Sequence, residues 1–139
     1  MSSGQLDRAQ LLLNQGRFTD AENILKDYLE FDPDDRDGQV MFLACLIAQG
    51  KKVESQQMVD QLLGSYPDDI DVLVLATEND IVQENYTLAE SRAKHLIGLA
   101  PFIDTGFYLM SRIKLAQRNY EKAHLYIMKA LEIEPDSVE

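Results

Sequence analysis

The chain has 139 residues, 45% of them hydrophobic and 27% charged, with a formal net charge of −11. That length is one domain's worth of material, enough to bury a continuous core without a disulfide or metal staple. Such an excess of carboxylates repels polyanions, so DNA, RNA and anionic membranes are disfavoured as partners, and a basic or apolar protein segment is favoured. Cys45 is the only cysteine, which rules out an internal disulfide and fits a reducing, cytoplasmic setting. Residues 1–8 lack the apolar stretch of a secretion signal. The longest apolar runs, such as Ile70–Ala76 with Asp71 inside it, are too short to span a bilayer. A tether carried by a longer protein stays open.

In chain order the pattern predicts helices at 3–15 and 18–31, joined by a turn at Gly16 and followed by Pro33. The next pair is predicted at 36–49 and 52–65, with Gly50 in the turn and Pro67 after it. Then come 70–83 and 86–99, with Glu84-Asn85 and Pro101, and finally 104–117 and 120–133, with Arg118-Asn119 and Pro135. The four prolines are spaced 34 residues apart, and the other positions keep the same period. One row is aromatic at three of its four positions (Phe18, Lys52, Tyr86, Tyr120) and another is small throughout (Ala21, Ser55, Ala89, Ala123). Further apolar rows are Leu25, Val59, Ala93 and Ile127, and Tyr28, Leu62, Leu96 and Ala130.

Each row has a physical reason. Apolar residues three and four apart make one face of a helix. The small residue allows two antiparallel helices to approach closely, and the Gly or Asn of the turn tolerates positive φ at the end of the first helix. Proline cannot continue the second helix. Each hairpin cannot bury its apolar face alone, so neighbours must stack. The expected fold is an all-α, right-handed α-solenoid of about eight antiparallel helices. It forms a single domain over 1–139 with repeats at approximately 2–35, 36–69, 70–103 and 104–137.

Period, proline position and the stretches Gly16-Arg17-Phe18-Thr19-Asp20-Ala21 and Asn119-Tyr120-Glu121-Lys122-Ala123 resemble the tetratricopeptide repeat (TPR) family over residues 2–135. There are departures. The family's early aromatic is Gln5, Gln39 and Leu73 here, with only Phe107 in keeping. Its small residue four positions on is Ala9, Leu43, Thr77 and Ser111, which predicts looser packing among the first helices.

The resemblance implies a protein-interaction scaffold or adaptor that holds a polypeptide segment on a concave face lined by the first helices. The alternative it leaves is a small TPR-type chaperone for a secreted or assembly client. Carried over row by row, the inward rows of the groove are Ser3, Asp37, Asp71 and Thr105; Leu6, Val40, Val74 and Tyr108; Gln10, Ala44, Glu78 and Arg112; and Leu13, Ile47, Ile81 and Leu115. The last inward row is Asn14, Ala48, Val82 and Ala116. More than half of these are aliphatic or aromatic, which marks an interaction surface for an apolar segment. Asp37, Asp71 and Glu78 suit basic flanks on that segment, and Tyr108 with Arg112 an anchor. The row Leu13/Ile47/Ile81/Leu115 has a second reading, as packing between neighbouring helices. The subclass that clamps acidic chaperone tails is not matched, because its basic and amide positions are Leu6, Gln10, Met41, Asp71 and Leu75 here.

Nothing points to an enzyme or to a cofactor. His95 and His124 lie on different second helices with no Cys or His spaced to share a metal, so each reads as a surface or packing residue. Cys45, inside an apolar helix, reads as a buried hydrophobe rather than a nucleophile. The acidic turns 32–37 and 68–71 lack calcium-loop spacing and read as helix N-caps. Helix 120–133 is apolar nearly all round, so one side is expected to stay exposed. Either the array continues in a longer protein, or that helix pairs with a second copy as a homodimer.

Overall fold

The computed structural model describes residues 2–134, with side chains from Gly4 onward. Eight α-helices and no strand occur among them: α1 (Ser2–Asn14), α2 (Phe18–Phe31), α3 (Arg36–Ala48), α4 (Lys52–Ser65), α5 (Ile70–Val82), α6 (Tyr86–Leu99), α7 (Thr105–Ala116) and α8 (Tyr120–Ile133). The second helix of each hairpin runs as expected. The first helices stop at Asn14, Ala48, Val82 and Ala116, one residue short of the prediction.

The reason lies in how the first helices close. Gly16 N–H donates to Leu13 O (3.0 Å) and Arg17 N–H to Leu12 O (2.8 Å), the paired bonds of a Schellman turn. The pair recurs at Gly50 and Lys51, Glu84 and Asn85, and Arg118 and Asn119. This turn needs one residue in the left-handed region. Gly16 (φ 76°) and Gly50 (φ 71°) fill it without strain, whereas Glu84 and Arg118 fill it at φ 62°. The expectation that asparagine would take positive φ is therefore corrected: Asn85 and Asn119 have φ of −88° and −91°. They sit one residue later, at the start of the second helix, where Asn119 Oδ1 accepts from Lys122 N–H (3.3 Å).

The acidic turns cap the helices that follow them. Asp35 Oδ2 accepts from Gly38 N–H (2.8 Å) at the start of α3, and Asp69 Oδ1 from Val72 N–H (3.2 Å) at the start of α5. Pro33, Pro67 and Pro101 each stand two residues past the end of a second helix. Pro135 lies outside the described residues.

The helices gather into two compact units, Met1–Ser65 and Tyr66–Glu139. In the first, α1 packs on α2, α2 on α3 and α3 on α4, and α1 also meets α3. Ala9, Ala21, Leu25 and Cys45 form its buried cluster, with Leu6, Leu13, Met41 and Phe42 packed against it. Completely buried Leu25 alone contributes roughly 2–3 kcal/mol by leaving water. The looser packing expected of the first helices is not found at Leu43, which is completely buried. Gln39, where an aromatic was expected, is buried with its amide donating to Pro33 O (2.9 Å).

The second unit repeats the scheme with α5 on α6, α6 on α7, α7 on α8, and α5 meeting α7. Val72, Leu96, Leu109, Met110 and Ile113 are fully buried or nearly so. Arg92 donates to the buried carboxylate of Asp80 at 2.7 Å.

Candidate partner-binding surfaces

The first helices divide cleanly by row. Ala9, Leu43, Ala76, Thr77, Met110 and Ile113 are closed off, as the core requires. By contrast, none of the residues assigned to the concave face is buried. On the first unit Leu6, Leu13, Val40, Ala44 and Ile47 are half-buried, and Gln10 and Asp37 are exposed. Leu6 and Leu13 touch the core cluster and still keep an open side, so both readings of the Leu13 row apply at that position. On the second unit Val74, Glu78, Ile81 and Arg112 are half-buried, while Asp71, Tyr108 and Leu115 are exposed. The last of the inward rows, Asn14, Ala48, Val82 and Ala116, is exposed throughout, Val82 at 50%. Thr105 is half-buried, and the side chain of Ser3 lies outside the described residues.

The two faces differ in charge. On the first unit, Asp37 is held by its neighbour Arg36 at 2.7 Å, and the row between the leucines is Gln10 and Ala44. On the second unit that row is Glu78 and Arg112. Burial pushes the Glu78 carboxyl above its usual range, and the Arg112 charge pulls it back part of the way. The Arg112 guanidinium also lies over the Tyr108 ring, 6.0 Å from its centroid. Glu78, Tyr108 and Arg112 thus belong to one electrostatic group: the sequence paired Tyr108 with Arg112, and the structure adds Glu78 to them.

A cleft of about 360 Å³ opens between α7 and α8, with Tyr108, Arg112 and Leu115 on one wall and Tyr120, His124 and Ile127 on the other. Sequence reasoning passed over Tyr120, His124 and Ile127 as partner residues. The signal was the row Glu22, Gln56, Glu90, His124, in which His124 is the only base. His95 is exposed and bonds Asp68 at 2.9 Å. Cys45 is fully buried, and burial, with the charge of Glu22 adding to it, pushes its thiol up to about 11. That suits a packing residue and not a nucleophile. Among the described residues no group of His, Cys, Asp and Glu is arranged to hold a metal ion, and no helix is long and apolar enough to cross a membrane.

Family models described as tetratricopeptide repeat match residues 12–77 and 105–137, well over half of the chain between them. The chain belongs to the tetratricopeptide repeat family. The solved structures agree on the fold. A thermophilic TPR protein of Thermus thermophilus superposes with a TM-score of 0.90 at 14% identity, over 97% of this chain and 75% of that one. PilF of Pseudomonas aeruginosa gives 0.84 at 18%, over 98% and 62%. MamA of Desulfovibrio magneticus gives 0.79 at 13%, over 100% and 78%. At these identities the likeness shows the fold alone, an all-α TPR solenoid. No curated protein sequence matches significantly. TPR proteins are generally non-enzymatic modules that bind other proteins or peptides, and the fold suggests such a scaffold here.

Proposed function

We propose that this TPR protein is an adaptor whose first-helix faces hold an apolar segment of a partner polypeptide. The observation that carries the reading is the division of rows on those helices. Leu6, Leu13, Val40, Ile47, Val74, Ile81 and Leu115 all keep access to solvent where a merely solvated helix face would be polar. The two units offer different chemistry. The first presents aliphatic residues around Gln10 and Ala44. The second adds Glu78, Arg112 and the Tyr108 ring, which suit a segment with a charged or aromatic anchor.

The test is affinity capture from a source-cell lysate with the wild type and an Ala48→Asp/Val82→Asp variant. Both positions are exposed on the concave rows, so the variant keeps its helices, which circular dichroism checks. A partner kept by the wild type and lost by the variant supports the reading, and its identity names the pathway. A partner kept equally by both places binding on another surface and overturns it.

A further inference from the structure

Two hairpins of this chain show how their open faces are covered. On α1/α2 the covering element is α3. A β-carbon on Gly38 would meet Tyr28 Cε2 at 2.8 Å, Cys45 joins the Ala9/Ala21/Leu25 cluster, and Gln49 and Lys51 reach back to Glu22. On α5/α6 the covering element is α7. A β-carbon on Gly106 would meet Ile97 Cγ1 at 2.7 Å, and Lys114 pairs with Glu90. Gly38 and Gly106, Leu29 and Ile97, and Glu22 and Glu90 hold matching places in the repeat. The same docking solution is therefore used twice: a close glycine approach, then a donor for a carboxylate.

Among the described residues, the α7/α8 hairpin presents the matching surface with no helix packed over it. Ser111, Ala123, Ile127 and Leu131 stand where Ala9, Ala21, Leu25 and Leu29 stand on the first hairpin. Leu115 is 57% and Tyr120 63% exposed, and the cleft between α7 and α8 is open. Its polarity has changed. The carboxylates Glu22 and Glu90 are replaced by His124, and Gln10 and Glu78 by Arg112. None of the described residues lining the cleft is acidic, in a chain of net charge −11.

We propose that this face docks an amphipathic helix of a partner protein, seated as α7 sits on α5/α6, with a small residue in the place of Gly106 and a carboxylate in the place of Lys114. The carboxylate accepts from His124, which has an N–H to donate in either charge state, and from the permanent cation Arg112. Tyr108, Leu115, Tyr120 and Ile127 supply the apolar area, with the two tyrosines as anchors. The site shares Tyr108, Arg112 and Leu115 with the first-helix face proposed above, and Tyr120, His124 and Ile127 on α8 distinguish it from that face.

The test uses two synthetic peptides with the sequence of residues 105–117, one unchanged and one carrying Lys114→Glu, titrated into the full ¹⁵N-labelled chain. The Lys114→Glu peptide should shift the amide resonances of Leu115, Tyr120, His124 and Ile127. It should also bind about two- to fivefold more tightly than the lysine peptide. The net charge of the chain favours the opposite order, so the ranking separates local from global electrostatics. In a His124→Glu chain, altered at an exposed position, the ranking should invert. The proposal is overturned by equal or reversed affinities in the wild type, by no binding of either peptide, or by shifts confined to other helices. It is equally overturned if the chain alone self-associates through this face, because the occupant is then a second copy.

Discussion

Glu22 lies on α2 with 4% of its surface exposed, and it is the charged centre of the first unit. It accepts from Gln49 Nε2 at 2.6 Å and from Lys51 Nζ at 2.9 and 3.1 Å, and it pairs with Lys26 at 2.9 Å. Burial alone raises a carboxyl, but the bonds from Lys51, Lys26 and Gln49 outweigh it and hold Glu22 at about 2, against an ordinary 4.5. The folded value lies below the unfolded one, so the stabilisation is fully present above about pH 4.5. It is lost as pH falls from there towards 2. At 1.36 kcal/mol per pH unit the limit is about 3 kcal/mol. Lys26 and Lys51 are 57% and 36% exposed, and water screening at those ammonium groups lowers the expectation to about 2 kcal/mol. Glu22→Gln keeps the shape and removes the charge. Urea unfolding followed by far-ultraviolet circular dichroism should show the variant about 2 kcal/mol less stable at neutral pH, with the gap closing as the pH drops through 4.5. Lys51→Met should give a smaller gap that also closes. A gap that stays constant on acidification would show that Glu22 contributes by shape alone and would refute the linkage.

Two further predictions concern the turns and the thiol. Glu84→Gly and Arg118→Gly relieve left-handed backbone at φ 62° and should each raise stability by about 0.5–1 kcal/mol, read as a higher urea midpoint at unchanged slope. A lower midpoint would show that these side chains make contacts worth more than the strain. Cys45, buried with its thiol near 11, should react with a thiol reagent only as fast as the first unit opens. Labelling at the rate of a free thiol in native buffer would contradict the packing described here.

The helices were legible because their signals are local and repeated. A proline placed two residues beyond a helix and a small residue at every hairpin crossing leave little freedom in where a helix starts or stops. The ends of the first helices were read one residue long because periodicity does not see the Schellman closure, which depends on backbone bonds across five residues. The residue in left-handed conformation was misplaced for the same reason. Asn85 and Asn119 looked suited to it, but the closure counts from the helix end and lands on Glu84 and Arg118. Which side chains keep an open face was legible from the rows. How they act on one another was legible only where they are neighbours: Tyr108 and Arg112 lie four residues apart on α7, whereas the Arg112–Glu78 coupling joins α7 to α5, which the sequence separates.

The comparison of rows also separates what a repeat must keep from what it is free to change. Ala21, Ser55, Ala89 and Ala123 stay small because two helices cross there, and all four are buried. Glu22 and Glu90 are carboxylates to which a donor comes from the next segment, Lys51 in the turn after α3 and Lys114 on α7; Gln56 and His124 hold the same position on the other two hairpins. A carboxylate left at 124 would add one more negative charge to an acidic chain and would occupy Arg112, the cation that lines the same cleft. A base there, beside Arg112, instead gives the cleft between α7 and α8 a lining with no acidic residue among those described, which is the basis of the acidic helix proposed for it. The change of sign at one row is therefore the most specific information about a partner that this repeat carries, since the constant rows only restate how hairpins stack.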